Sequence, residues 1–221
     1  LEASGLQIQW QESGKPMIEG VAVADLDNDG DLDLLVLNLN GPARLYRNDG
    51  GLTFTNVTEA SGTGELGLCL GSVFGDYDDD GDADLYVVND FGRKTLYRNE
   101  GVGADGVVRY RDVTVATGTL AYGAGMSASF GDYDNDLDLD VYVAHIRSEH
   151  GWFAEWPTVM RYMMNTWRQG VWITDMPLYL EIMRQSGFDF IQVFQDMASG
   201  NTLLRNRGDG VFEDVTWDAR A

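Results

Sequence analysis

Asp25–Asp33 reads DLDNDGDLD, Asp76–Asp84 reads DYDDDGDAD and Asp132–Asp140 reads DYDNDLDLD. In each run Asp returns at alternate positions, and a glycine stands sixth in two of them, at Gly30 and Gly81. The runs hold sixteen of the 36 acidic residues, so the acidity is local rather than spread over a solvated surface. Two carboxylates about 4 Å apart repel by roughly 4 kcal/mol at an effective dielectric of 20, and five of them crowded into one loop oppose folding unless a cation sits among them. An all-oxygen donor set suits calcium, whereas zinc prefers His and Cys.

An EF-hand also alternates oxygen ligands around a sixth-position glycine, but it needs a bidentate Glu at the twelfth position. Here that position is Val36, Val87 or Val143, inside the apolar segments LLVLN, LYVVN and DVYVAH. Those segments are rich in β-branched and aromatic residues, so each loop is expected to lead into a strand rather than a helix.

The three runs are also the landmarks of a repeat, with 51 residues from Asp25 to Asp76 and 56 from Asp76 to Asp132. Each unit reads as a strand (GVAVAD, GSVFGD, SASFGD), the Asp loop, a second strand, a third (RLYRN, TLYRN, TLLRN) and a fourth (FTNVTEA, YRDVTVA, FEDVTWD). Four short strands about every 50 residues is the period of a β-propeller blade.

On these motifs, Phe74-Gly75-Asp76, Phe130-Gly131-Asp132, the Asp loops, LYRN and DVT, the chain resembles the FG-GAP and VCBS repeat family of calcium-loop propellers. The resemblance implies a calcium ion in the turn between the first and second strands of each blade. Side chains at loop positions one, three, five and nine would hold it, with a main-chain carbonyl at seven. Carried onto this chain, the set is Asp25, Asp27, Asp29, Asp31 and Asp33, then Asp76, Asp78, Asp80, Asp82 and Asp84, then Asp132, Asp134, Asp136, Asp138 and Asp140. Asp31, Asp82 and Asp138 are the seventh-position members. Leu137 replaces the glycine of the third loop, and a leucine in left-handed conformation costs on the order of 1 to 2 kcal/mol. That third site is expected to be weaker or distorted.

The expected architecture is mainly β, with three four-stranded blades at about 20–64, 70–118 and 126–218, all within one segment covering 1–221. Three blades do not complete a ring, which points to an open sector or part of a larger propeller. The stretch LQIQWQ, with Leu6, Ile8 and Trp10 alternating, reads as an outer strand of a further blade.

LYRN follows LYRN after 51 residues in the first step, whereas the step from Leu96 to Leu203 takes 107. The surplus, about 146–200, is expected to be an α-helical insertion between the second and third strands of the third blade. It carries four of the six Trp and six of the eight Met. Trp156, Met160, Met163, Met164 and Trp167 fall on one face of a helix, and a second helix can start at Asp175 and Pro177. Such a helical cap could pack on the propeller itself. Alternatively Trp152, Trp156, Met160, Met164, Trp167 and Trp172 form a partner surface, because Met and Trp adapt well to peptides, other subunits and sugars.

A formal net charge of −21 and a pI near 4.1 argue against nucleic acid and anionic lipid as partners. With 44% hydrophobic residues the chain can bury a core. No membrane span and no visible signal peptide are read, and the single Cys69 is expected to be a buried structural thiol. His145 and His150 lie in no zinc motif and beside no nucleophile. Arg207-Gly208-Asp209 occupies the repeat's own turn between third and fourth strands. The reading is a non-catalytic, calcium-binding propeller protein of the extracellular space, cell surface or periplasm, which contacts another protein or its own copies through blade edges and the insertion. The competing reading is a carbohydrate-binding or polysaccharide-lyase-like propeller that uses the Trp-rich insertion.

Overall fold

The computed structural model describes residues 18–38, 43–64, 69–89, 93–121, 125–145, 200–216 and 218. The insertion expected at about 146–200, with Trp152, Trp156, Met160, Met164, Trp167 and Trp172, lies outside the described residues up to 199, as does the strand expected around Leu6, Ile8 and Trp10.

The described residues build three four-stranded antiparallel sheets. The first contains β1 (Ile18–Ala24), β2 (Asp33–Asn38), β3 (Arg44–Asn48) and β4 (Phe54–Asn56), followed by a four-residue helix, α1 (Thr58–Ser61). The second contains β5 (Cys69–Gly75), β6 (Asp84–Asn89), β7 (Thr95–Val102) and β8 (Val108–Asp112). The third contains β9 (Gly125–Gly131), β10 (Asp140–His145), β11 (Thr202–Asn206) and β12 (Phe212–Asp214). Strands pair in chain order, so each sheet is an up-and-down meander. Each Asp loop closes its first hairpin in the same register, next to the pairs Ala24↔Asp33, Gly75↔Asp84 and Gly131↔Asp140.

The apolar runs of the second strands are explained by the stacking of one sheet on the next. A strand covered on one face alternates apolar and polar residues, whereas one covered on both reads as a continuous apolar run. Every residue of β6 is buried. One core joins Leu26, Leu35, Leu37, Leu45 and Val57 of the first unit to Leu85, Val87, Tyr97 and Tyr110 of the second, and Cys69 is buried within it. The next core joins Tyr77, Tyr86, Val88, Leu96 and Val113 to Val141, Val143, Leu204 and Phe212. The second sheet therefore lies between the other two.

The FGD motif acquires a packing role at this junction. A Cβ on Gly75 would stand 2.6 Å from the ring of Phe130, so only glycine lets the third sheet's Phe130 lie on β5.

The fourth strands are shorter than the sequence suggested. FTNVTEA, YRDVTVA and FEDVTWD read as strands throughout, but the strands stop at Asn56, Asp112 and Asp214. The cause is a side-chain turn. Asn56, Asp112 and Asp214 each accept the backbone N–H of the Thr two residues on, at 3.1, 3.0 and 2.9 Å. That Thr, at 58, 114 or 216, then accepts the backbone N–H of Leu45, Leu96 or Leu203, each at 2.9 Å. A hydroxyl thus ends the ladder that a fourth-strand carbonyl would have continued. In the first unit the chain turns directly into α1.

Candidate metal centres

The three Asp loops, 25–32, 76–83 and 132–139, share one hydrogen-bonding scheme. The first Asp of each accepts two backbone N–H groups from across its loop. Asp25 takes those of Asp29 and Gly30 at 3.1 and 3.0 Å, Asp76 those of Asp80 and Gly81 at 3.1 and 2.9 Å, and Asp132 those of Asp136 and Leu137, both at 3.1 Å. The fifth-position Asp accepts the N–H two residues on, from Asp31, Asp82 or Asp138. The fourth position is left-handed in every loop, with φ of 59° at Asn28, 57° at Asp79 and 63° at Asn135.

Leu137 has φ of 80°, close to the 93° and 94° of Gly30 and Gly81. The expectation of a distorted third loop is corrected on this point: its backbone follows the other two. Leucine carries the left-handed strain in place, with its side chain exposed.

The ninth-position carboxylates hold the units together. Asp33, Asp84 and Asp140 are buried, and each uses both oxygens on main-chain donors. One oxygen accepts the N–H of Leu26, Tyr77 or Tyr133, inside the loop. The other accepts the N–H of Asn48, Asn99 or Asn206, each at 2.8 Å, on the third strand of its unit. Burial pushes Asp33 up to about 6 and Asp84 up to about 7, against the opposing pull of those N–H groups.

Among the described residues, carboxylates converge at three places. Asp25, Asp27 and Asp29 form one group, Asp76, Asp78 and Asp84 a second, and Asp132, Asp134 and Asp136 a third, each offering oxygens within 4.8 Å of one another. That span fits oxygens on one calcium ion, whose Ca–O distances run about 2.3–2.6 Å. Asp31, Asp82 and Asp138 belong to none of these groups; they direct an oxygen toward Gly50, Gly101 and Gly208, each two residues past the asparagine of the third strand. Asp33, Asp80 and Asp140 stand outside the groups as well.

The first two groups also contain a buried oxygen with no hydrogen-bond partner, Oδ1 of Asp27 and Oδ1 of Asp78. Burial, together with the neighbouring Asp29 or Asp80, raises the pKa of each above its ordinary value. A buried carboxylate oxygen without a donor is costly, and a cation is the group that satisfies it. Asp134, its counterpart in the third loop, is exposed. The arginine of the third strand has its closest partner outside the converging carboxylates: Arg47 pairs with Asp49, Arg98 with Glu100 and Arg205 with Glu213, while Arg98 reaches Asp78 only at 3.9 Å. The residues present fit a hard divalent cation.

Sequence reading missed the asparagines and threonines. The signal was the fixed step of fifteen residues from Asp33 to Asn48 and from Asp84 to Asn99, which LYRN carried unrecognised. His145 is buried, and burial pushes its imidazole down to about 4. Asp209 accepts the N–H of Val211, so Arg207-Gly208-Asp209 forms the turn between β11 and β12.

A family model described as FG-GAP-like repeat matches residues 25–87 and again 76–143, together more than half of the chain. Among curated proteins, Cartilage acidic protein 1 of Xenopus tropicalis is 29% identical over 129 residues, which is 58% of this chain and 19% of that protein. The chain thus spans about a fifth of the relative's length.

Proposed function

Because the chain belongs to the FG-GAP-like repeat family, we propose that it is a calcium-binding β-propeller segment, non-catalytic, that mediates protein–protein interaction, adhesion or assembly outside the cytoplasm. Its three sheets are blades of one segment over 1–221, interrupted by an insertion at about 146–200. Calcium occupies the loops at Asp25–Asp33 and Asp76–Asp84, and more weakly the loop at Asp132–Asp140. The observation that carries this reading is the buried, unpartnered oxygen of Asp27 and of Asp78 within its converging carboxylates. The ion neutralises the cluster and fixes the hairpin corner on which the next sheet packs.

Millimolar calcium outside the cytoplasm suits the modest affinity of extracellular sites, with dissociation constants of roughly 0.1 to 1 mM. Such surroundings are where blade faces and the Trp- and Met-rich insertion would meet a partner. Isothermal titration of the chelated chain with calcium tests the reading. Two equivalents bound in the millimolar range or tighter, abolished together by Asp27→Asn and Asp78→Asn, support it. No heat and no change in melting temperature on adding calcium would refute it.

A further inference from the structure

Among the described residues, two side-chain amides tie the first Asp loop to the second unit. Asn99, buried on β7, donates its amide N–H to the carbonyl of Leu26 in the first loop at 3.1 Å. Asn28, exposed in that same loop, donates to the Asp82 carboxylate of the second loop at 2.9 Å. Leu26 stands between Asp25 and Asp27, two of the three residues whose carboxylates converge in the first loop. Its main chain is held from both sides: the N–H goes to Asp33 of its own unit at 2.9 Å, and the carbonyl takes the Asn99 amide of the next.

Asn99 is in turn fixed from the second loop. Its backbone N–H goes to Asp84 at 2.8 Å, and Asp84 is one of the three carboxylates, with Asp76 and Asp78, that converge there. The rest of the Asn99 side chain is used inside its own unit, on the Ala83 carbonyl at 3.3 Å and the Gly101 N–H at 2.9 Å. An unbroken path of hydrogen bonds thus leads from a carboxylate of the second group, through Asn99, to the main chain between two carboxylates of the first.

The junction of the second and third units is built differently. Asn206 donates to Tyr77 at 2.8 Å, but the carboxylate that grips Asn206 is Asp140, which stands outside the converging group of its loop. The fourth-position residue there is Asp79, whose charge opposes ionisation of Asp138, where Asn28 donates to Asp82.

We propose that the first and second loops take up calcium as a coupled pair, with Asn99 and Asn28 as the positioning residues that pass order from one loop to the other. The inference deepens the calcium reading above and rests on it. With Asp76, Asp78 and Asp84 gathered on one ion, the carboxylate that holds the Asn99 backbone is fixed, and so is the amide that holds Leu26. Part of the conformational entropy that the first loop loses on binding is then already lost, and its affinity rises. Coupling between two sites is reciprocal, so occupancy of the first loop favours that of the second by the same factor. A path of single hydrogen bonds sets that factor at roughly three- to tenfold.

Amide hydrogen exchange followed by NMR tests it on the Asp27→Asn chain, in chelator and in about 2 mM calcium. The first loop of that chain has lost its site, yet the N–H groups of Leu26, Asp29 and Gly30 are expected to exchange roughly three- to tenfold more slowly with calcium present. Adding Asn99→Ala removes this protection and leaves that of Asp80 and Gly81 in the second loop. Asn28→Gly, an exposed change at a left-handed position that glycine accepts, reduces it without disturbing the core. In the converse chain, Asp78→Asn, calcium protects Asp80 and Gly81 by a similar factor. Protection confined in both chains to loops that keep their carboxylates, or first-loop protection that survives Asn99→Ala and Asn28→Gly together, overturns the inference while the calcium reading stands. No protection in any loop, the wild type included, refutes the calcium reading and this inference with it.

Discussion

The carboxylate of Asp84 accepts the backbone N–H of Asn99 at 2.8 Å, fifteen residues away, while its other oxygen accepts that of Tyr77 at 3.1 Å. One side chain thereby ties the Asp loop to the start of β6 and the middle of β7. This separates two kinds of Asp in a run whose members look alike. Asp84 is a structural acceptor whether or not a cation is present, whereas Asp78 keeps a buried oxygen that no protein group satisfies.

Asp84→Ala leaves two buried N–H groups unpaired, at about 1–3 kcal/mol each, and so destabilises the chelated protein by roughly 2–6 kcal/mol in urea titrations. Asp78→Asn leaves the chelated protein no weaker than the wild type, because it removes charge from a repulsive cluster, but it abolishes the calcium increment of that loop. Equal losses for both variants in chelator would remove the distinction.

Calcium raises stability by mass action. For a dissociation constant near 0.1 mM and about 2 mM calcium, each occupied loop adds roughly 1.8 kcal/mol. Differential scanning calorimetry with and without chelator measures the sum, and the first two loops supply most of it.

The pH dependence is steep without the metal and flat with it. In calcium-free protein Asp33 and Asp84 are raised by burial from 3.8 to about 6 and about 7. Over that window the folded chain binds more protons than the unfolded one. Their contribution is complete below 3.8 and is lost as pH rises through 6 and 7, so chelated protein is more stable at pH 5 than at pH 8. A bound cation favours the ionised carboxylates, so in millimolar calcium folded and unfolded chains are both deprotonated over this interval and the dependence flattens. Urea midpoints at both pH values, with and without chelator, give the two slopes.

Leu137→Gly removes the left-handed strain at φ 80° from a side chain that packs on nothing. Stability is expected to rise by about 1 kcal/mol, less than the full strain because glycine loses more entropy on folding. Calcium affinity of the third loop should rise with it, measurable by titration of a chain whose first two loops carry Asp27→Asn and Asp78→Asn.

Thr114→Val keeps the shape but leaves the buried N–H of Leu96 without its 2.9 Å acceptor. The expected cost is about 1–3 kcal/mol by chemical denaturation. An unchanged midpoint would show that the hydroxyl does not terminate the sheet energetically.

Much of the fold is legible in short stretches. Alternating Asp, the sixth-position glycine and the apolar runs after them act within about fifteen residues, so spacing alone indicates the hairpins and their corners. DVT misleads for a physical reason: β-branched residues favour a strand, but the Asp112 and Thr114 side chains capture backbone N–H groups that the ladder needs. Leu137 misleads in the other direction, because two N–H bonds to Asp132 hold the loop in a shape that leucine disfavours.

The amino-acid order by itself determined the repeat, the strands on either side of each Asp loop and the oxygen chemistry of those loops, since all three depend on neighbours along the chain. Only the tertiary structure decided which oxygens face inward and which residues join the sheets. Asn99 reaches Leu26 across 73 residues, and Phe130 covers Gly75. Such pairings are set by the stacking of one sheet on another, where burial removes water and leaves each polar atom to find a partner in the protein or in a bound ion.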